Sequence, residues 1–219
     1  METLAYMANN LPMIGMRALE HLSIVGVAVF LAIVGGMAVG IQISRHPRAA
    51  HVVLSLGAML ITVPSIALFG ILIPILSTIG QGIGWLPAVI AVFIYSMVPI
   101  VRNTYTALVG LDPALRDAAT GLGMNDSQRL WRVELPNALP VIMAGIRIAV
   151  VMNIGITAVA AYIGAGGLGT FISRGITQTD IRQLLTGAVA VSVMAVLSDY
   201  ALLLLQRRLT PAGLLPQHG

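Results

Sequence analysis

The chain has 219 residues, of which 58% are hydrophobic and only 9% are charged, and its net charge is +4. Ordinary soluble domains are roughly 45–50% apolar and about 25% charged, so this composition excludes a soluble protein and predicts an integral membrane protein. A chain of this length has room for one bundle of spans of about 20 residues each, and for no separate soluble domain.

Two residue types are missing, and each absence excludes a class of chemistry. All 12 basic residues are Arg, so the chain offers neither the phosphate-binding lysine of a P-loop nor a Schiff-base lysine. It also has no Cys, which excludes a thiol nucleophile, a disulfide and a thiolate metal site. We therefore expect any ATP hydrolysis that serves this protein to take place on another chain.

Stretches without charge predict where the chain crosses the membrane. The first ends at Arg45-His46-Pro47-Arg48, and a later stretch of fifty residues is divided by the glycine-rich segment 77–84. Prolines at 64, 74 and 99 predict bent helices within that stretch. The pattern predicts five spans, with six as the alternative because Arg147 interrupts the fourth; they cover residues 22–44, 52–76, 85–101, 139–163 and 184–205.

The arginines predict the orientation of these spans. Only Arg17, Arg174 and Arg182 fall on one side, and Arg147 lies within a span. The side that is richer in arginine is expected to be cytoplasmic. Residues 1–21 are then extracytoplasmic, while the loop 102–137 and the tail 207–219 are cytoplasmic. No signal-peptidase site precedes Leu22, so we expect the first span to be retained. The arginine-rich side comprises Arg45, Arg48, Arg102, Arg116, Arg129, Arg132, Arg207 and Arg208.

The predicted cytoplasmic loop carries signals for two short helices. Asp112 followed by Pro113 is typical of a helix start, and this first helix would end near Gly121 or Gly123. Asn125 with Gln128 predicts a capping box for a second helix that ends at Pro136. The first helix would present a small apolar face made of Leu115, Ala118, Ala119 and Leu122. From the residues alone, a docking site for a soluble partner and an ordinary charged loop are equally supported.

The same loop resembles a known motif. It reads Asp117-Ala118-Ala119, three residues, Gly123, nine residues, Val133, one residue, Leu135-Pro136. This pattern is similar to the cytoplasmic motif of the permease subunits of type I ABC importers, with Asp117 in place of Glu and Val133 in place of Ile.

The resemblance implies an all-α permease fold whose loop contains a coupling helix, here 112–122, that docks into a dimer of ABC ATPases. Those ATPases would bind ATP and Mg, so no cofactor is expected in this chain. The expected coupling residues are Asp112, Leu115, Arg116, Asp117, Ala118, Ala119, Gly123, Leu135 and Pro136.

Four further segments resemble one group within that class, the permeases for glycine betaine, carnitine and choline. They are residues 102–108, 130–136, 144–147 and 163–169. Importers of methionine and other small solutes share parts of this set, so another solute remains the alternative. The resemblance implies a bacterial inner-membrane protein with a periplasmic or lipid-anchored binding protein and a second permease subunit, identical or paralogous. We expect the binding protein to supply the high-affinity recognition, and no nucleic acid is expected as a partner.

Several polar residues lie inside the predicted spans, and two of them have alternative roles. Asn153 and Thr157 lie on one helix face and would either line a translocation path or hydrogen-bond between helices. Arg147 is expected to extend toward the cytoplasmic interface, and Asp199 to pair with Arg207. The segment 164–169 has the spacing of a dinucleotide-binding loop, but it follows a span, so we expect a turn that approaches a partner closely.

Three other classes of protein remain as alternatives. A channel or secondary carrier would need its own selectivity element or coupling-ion site, and buried charge is scarce in this chain. An intramembrane enzyme would need a nucleophile, base or metal cluster within the spans. A structural membrane subunit could have the same docking loop. Only a transport measurement distinguishes it from a permease.

Overall fold

The structure is a computed structural model that describes residues 2–210, and all regular secondary structure in this range is helical. The end of the predicted tail, 211–219, lies outside the described residues. Ten α-helices follow one another along the described chain: α1 Glu2–Asn9, α2 Leu11–Ser44, α3 Pro47–Thr62, α4 Ser65–Ser77, α5 Trp85–Val109, α6 Pro113–Gly121, α7 Asp126–Arg129, α8 Leu135–Val159, α9 Gly169–Thr177 and α10 Ile181–Leu209.

Among the described residues, four helical stretches are long and apolar enough to cross a membrane. They are α2, α5, α10 and a continuous helix over Asp126–Ile163 that contains α7 and α8. Helices α3 and α4 together supply a fifth crossing if the pair counts as one span, although they are bent by 98°. The all-helical membrane class is thus confirmed. Four of the predicted spans fall on the four single stretches, and the span predicted at 52–76 falls on the bent pair α3–α4.

The bend between α3 and α4 follows from a proline. Helix α3 ends at Thr62, and Val63 has an extended backbone because the Pro64 ring disfavours helical geometry in the residue before it. The hydroxyl of Tyr95 on α5 donates to the Val63 carbonyl that the break leaves without a helical partner. The predicted bend at Pro64 is confirmed, whereas Pro74 and Pro99 lie inside continuous helices.

Several helices extend beyond the predicted spans. Helix α2 begins at Leu11 rather than Leu22, and α5 continues to Val109 rather than stopping at 101. Charged residues mark where an apolar stretch ends, but a helix satisfies its own backbone hydrogen bonds and can continue into water. As a result, most of the predicted loop 102–137 is helical, with its first residues in α5 and its last in α8.

Helix α5 lies at the centre of the bundle, packed between α2 and α8. Glycines allow these helices to approach closely: a Cβ at Gly40 of α2 would lie 2.6 Å from the Thr104 Cβ, and one at Gly145 of α8 would lie 2.5 Å from the Asn103 Cβ. Small residues at helix crossings are the usual means of close packing in a membrane. The core around these crossings includes Ala32, Ile100, Leu108, Ile142, Ile146 and Ala149.

We predict that Gly145→Ala destabilises the bundle, because the new methyl group would collide with Asn103 and with the Pro99 carbonyl, 2.9 Å away. Overpacking of this kind costs about 1–3 kcal/mol. The matched control is Gly155→Ala on the same helix, where nothing lies within 4 Å of the added atom. The measurement is the thermal unfolding midpoint of the purified subunit in detergent. Equal midpoints for the two variants would contradict the close crossing.

Candidate functional site

The first helix of the loop begins and ends as its sequence predicts. The carboxylate of Asp112 accepts a hydrogen bond from the Ala114 amide at 2.9 Å, and Pro113 occupies the first turn, where a missing N–H costs nothing. The helix ends before Gly123, whose φ of +76° is a left-handed conformation that favours glycine. Asp112 and Gly123 thus set the length of α6.

The start of the second helix is confirmed, but its predicted end is wrong. Asn125 and Gln128 exchange side-chain to backbone hydrogen bonds of 2.9 and 3.0 Å, which is a complete capping box. The helix then passes through Pro136 into α8 without a break. A π-helical turn at Leu130–Glu134 precedes the proline and changes the hydrogen-bond register, so a residue without an N–H can be accommodated there.

Glu134 connects the two loop helices to α8. Its side chain is almost fully buried, and its Oε1 atom lies 3.2 Å from Nε of Arg116 on α6 and 3.1 Å from Nε of Arg129 on α7. Arg116 also donates from Nη2 to the carbonyl oxygen of Leu108, near the end of α5, at 2.7 Å. These three side chains, the clip residues Arg116, Arg129 and Glu134, therefore join α5, α6, α7 and α8 at one end of the bundle.

The predicted coupling residues separate into a surface set and an anchoring set. Exposed side chains include Asp117 and Ala118 together with Leu115 at 39% exposure. Two further large apolar side chains, Leu122 and Trp131, are also exposed beside them, at 77% and 67%. Such exposure of bulky apolar groups on a charged loop is typical of a protein-binding surface. In the anchoring set Ala119 and Leu135 are buried, while Arg116 and Pro136 are partly buried.

Asn153 and Thr157 lie between helices rather than on an open surface of this chain. Both are fully buried, and the Asn153 amide donates to Ser96 Oγ on α5 at 2.8 Å and to the Ala149 carbonyl at 2.9 Å. This geometry matches the interhelical alternative for Asn153. A role for these two residues in a translocation path stays a prediction.

Arg147 and Asp199 form a contact that differs from the expectation. The predicted pairing of Asp199 with Arg207 is wrong: Nε and Nη2 of Arg147 donate to the two carboxylate oxygens of Asp199, each at 2.8 Å. Gln206 accepts from Arg147 Nη1 at 3.3 Å and donates to the Pro140 carbonyl at 3.2 Å. The result is a bidentate ion pair between α8 and α10.

The glycine-rich segment 164–169 packs against α2 of the same chain. The carboxylate of Glu20 accepts from the Gly167 amide at 2.9 Å and from Arg17 at 2.8 Å. The neighbouring His21 is fully buried and contacts the Ile154 carbonyl at 2.9 Å. Gly166 and Gly167 have positive φ angles, and a Cβ at either position would meet Glu20 or His21. A close approach is thus observed, but its neighbour is α2 of the same chain, and an approach to a partner stays a prediction.

The segment that follows ends in a local ion pair at the start of α10. Arg182 and Gln183 hydrogen-bond to the Asp180 carboxylate, and these contacts lower its pKa to about 2. The same carboxylate accepts from the Arg182 amide at 3.0 Å and so caps the helix. Elsewhere, His46 and His51 are exposed, and within residues 2–210 no group of three His, Asp or Glu side chains could hold a metal ion.

A protein-family model, described as the binding-protein-dependent transport system inner membrane component, matches residues 32–212 of the chain. The osmoprotectant import permease protein OsmW of Salmonella typhimurium is 52% identical over 98% of this chain and 100% of its own length. The carnitine transport permease protein OpuCB of Listeria monocytogenes is 42% identical, covering 89% of this chain and 87% of its own. The choline transport system permease protein OpuBB of Bacillus subtilis is 37% identical, covering 90% and 89%.

Solved structures share the fold at lower identity. A chain of the MetNI methionine ABC transporter in an inward-facing conformation aligns with a TM-score of 0.83 and 23% identity, over 92% of this chain and 98% of that one. A chain of an amino acid ABC transporter crystallised with histidines aligns with a TM-score of 0.75 and 20% identity, over 93% and 97%. The arrangement of helices described above is therefore that of an ABC importer permease.

We predict that Glu134→Gln loosens both loop helices, because it leaves Arg116 and Arg129 beside a buried neutral group. Both arginines are partly solvated, so the loss is smaller than the 3–5 kcal/mol of a fully buried pair. We expect amide hydrogen exchange over 113–129 to become roughly tenfold faster. Hydrogen-exchange mass spectrometry of the purified subunit measures this. The control is Asp126→Asn, which removes the exposed partner of the same Arg129; equal effects of the two variants would contradict the central position of Glu134.

Proposed function

Because the chain belongs to the family of binding-protein-dependent transport system inner membrane components, we propose that it is the permease subunit of an ATP-driven importer of glycine betaine, carnitine or choline. This class of solute is supported by a sequence identity of 52% with an osmoprotectant import permease, over essentially the full length of both chains. In this family the ATPase activity lies in a separate subunit, which agrees with a chain that has no lysine for a P-loop.

The importer that we infer has several further components. An ABC ATPase dimer would bind the loop, a periplasmic or lipid-anchored protein would deliver the solute, and a second permease would complete the pore. Helices α3 and α10 are compatible with the last of these, since both leave large apolar side chains exposed along their length. Lipid or a second permease would cover such faces. They include Val52, Leu56 and Met59 on α3, and Val189, Val193, Val196 and Leu197 on α10.

The clip residues suggest how movement of the ATPases would reach the spans. The exposed face of α6 would sit in a cleft of the ATPase, and closure of the ATPase dimer on ATP would displace this helix. Because Arg116 bonds the end of α5 and also contacts Glu134 at the start of α8, a displacement of α6 pulls on two spans at once. Alternating access needs a rigid element coupled to a bundle with two arrangements, and α6 with its clip residues would supply the rigid element.

The chain is a multi-pass inner-membrane protein, and we propose that its amino terminus lies outside and its carboxyl terminus inside. Arg116 and Arg129 lie at the end of the bundle that carries α6 and α7, which would be the cytoplasmic end. Arg17 approaches Gly166 at the opposite end. The bias of arginines toward one side supports this orientation.

Cysteine labelling tests the orientation, because the natural chain has no Cys. Ser127 on α7 and Thr179 before α10 are both exposed. We expect a membrane-impermeant thiol reagent to label Ser127→Cys only from the cytoplasmic side and Thr179→Cys only from the outside, in membrane vesicles of known orientation. Labelling of both positions from one side would overturn the proposed topology.

Transport itself tests the proposed function. We expect ATP-dependent uptake of labelled glycine betaine into vesicles that contain this chain, its ATPase and its binding protein. Gly123→Glu should lower uptake at least tenfold and weaken co-purification of the ATPase, because a side chain at this φ strains the turn that ends α6. The control is Gly80→Glu, which has a similar φ of +73° and open space but lies after α4. Unchanged uptake and ATPase association in Gly123→Glu would refute the coupling proposal.

Methionine is the competing cargo, since the fold is shared with a methionine transporter. That similarity is at 23% identity and therefore supports the architecture only. Unlabelled methionine and unlabelled choline, added separately in excess to the uptake measurement, distinguish the alternatives. Inhibition by methionine but not by a quaternary ammonium compound would replace the proposed cargo.

A further inference from the structure

The Arg147–Asp199 ion pair lies inside the membrane bundle. Arg147 is eight residues beyond Leu139, where the predicted span begins, a rise of about 12 Å along α8. Ionised side chains at such depth are costly and usually face the bundle interior or a water-filled cavity. In this chain both side chains remain partly accessible, at 24% for Arg147 and 38% for Asp199. The pair therefore faces a space rather than a fully packed helix contact.

That space is an open cavity of about 530 Å³ along α8, to which α10 contributes Asp199. Its volume falls within the roughly 300–1,000 Å³ that is typical of small-molecule sites. Apart from the two charged groups, its walls are apolar. They are formed by Ala144, Ile148, Val151 and Met152 of α8. The cavity thus presents one cation and one anion side by side on a hydrophobic wall.

Both members of the ion pair can form further hydrogen bonds or ionic contacts. A guanidinium has five N–H groups, and those of Arg147 make two bonds to Asp199 and one to Gln206. Two N–H groups are left within the described structure, enough to bind a carboxylate without breaking the pair. The carboxylate of Asp199 is also partly exposed, so a cation could bind to it without displacing Arg147.

We propose that this cavity is a weak transit site for a small zwitterion, with the carboxylate of the solute on Arg147 and its quaternary ammonium beside Asp199. This inference rests on the proposed import of osmoprotectants. The pair is neutral overall, and so is the zwitterion, so binding adds no net charge to a low-dielectric region where net charge is costly. Gln206 acts as a positioning residue, since it accepts from the guanidinium and is itself held by its bond to the Pro140 carbonyl.

The site distinguishes zwitterions from simple cations. Choline has the quaternary ammonium but no carboxylate, so it would bring an uncompensated positive charge beside Arg147 and leave the two spare N–H groups unused. We expect glycine betaine to bind this cavity at least tenfold more tightly than choline, which corresponds to about 1.4 kcal/mol. The binding protein plays no part in this preference.

Saturation-transfer NMR tests the proposal, because it detects weak binding through the nine equivalent methyl protons of the trimethylammonium group. The sample is the permease with its ATPase in lipid nanodiscs, without the binding protein, titrated with glycine betaine or choline. We expect transfer to glycine betaine from the wild type and from Arg48→Gln, an exposed control arginine. In Arg147→Gln and Asp199→Asn the apparent affinity for glycine betaine should fall at least tenfold.

The double variant Arg147→Gln with Asp199→Asn separates binding from structure. It leaves no unpaired charge and can keep a side-chain hydrogen bond between α8 and α10, so we expect it to retain ATPase association while losing transfer to glycine betaine. Undiminished transfer in this variant, or equal affinity of the wild type for betaine and choline, would overturn the transit site. A wild-type importer that takes up no osmoprotectant in vesicles would instead refute the proposed function.

Discussion

Inside a lipid bilayer the chain itself must satisfy its polar groups, because hydrocarbon offers no hydrogen bonds. The contacts between helices in this protein follow from that constraint. Asn153 bonds Ser96 across the α5–α8 crossing, His21 reaches the Ile154 carbonyl, and Tyr95 bonds the carbonyl freed at the α3–α4 break. Each contact ties a polar group of one helix to another helix. These bonds add fixed points between neighbouring helices, while glycines allow the helices to approach closely.

Much of the architecture could be predicted from residues in the sequence. Charge-free stretches located the membrane segments, and the caps at Asp112 and Asn125 placed the two loop helices, because these signals act within a few residues of each other. Helix ends were less predictable: α2 and α5 continue past the charges that end their apolar stretches. The helix end predicted at Pro136 was also wrong, because the π-helical turn before this proline allows the helix to continue through it.

The long-range contacts of the candidate sites could not be predicted in the same way. Arg147 and Asp199 are far apart in sequence, and Asp199 had a plausible partner nearby in Arg207, so only the three-dimensional packing of α8 against α10 shows that they pair. Glu134 had a weaker signal, because it stands inside the loop motif as an acid among apolar residues. An acid in such a position needs a cation, and Arg116 and Arg129 were within reach in the sequence.

The shared carboxylate of Glu134 also bears on how many ATP molecules the proposed importer spends on each solute. Two loop helices that meet at one buried acid, with Arg116 fastened to α5 as well, have little freedom to move separately from the spans. A flexible loop would allow the ATPases to close and hydrolyse ATP without moving the membrane spans. In the proposed importer, the rigidity of the contact between Glu134 and the two arginines would therefore influence how many ATP molecules are hydrolysed per solute imported. That number in turn limits the solute gradient that a cell can sustain.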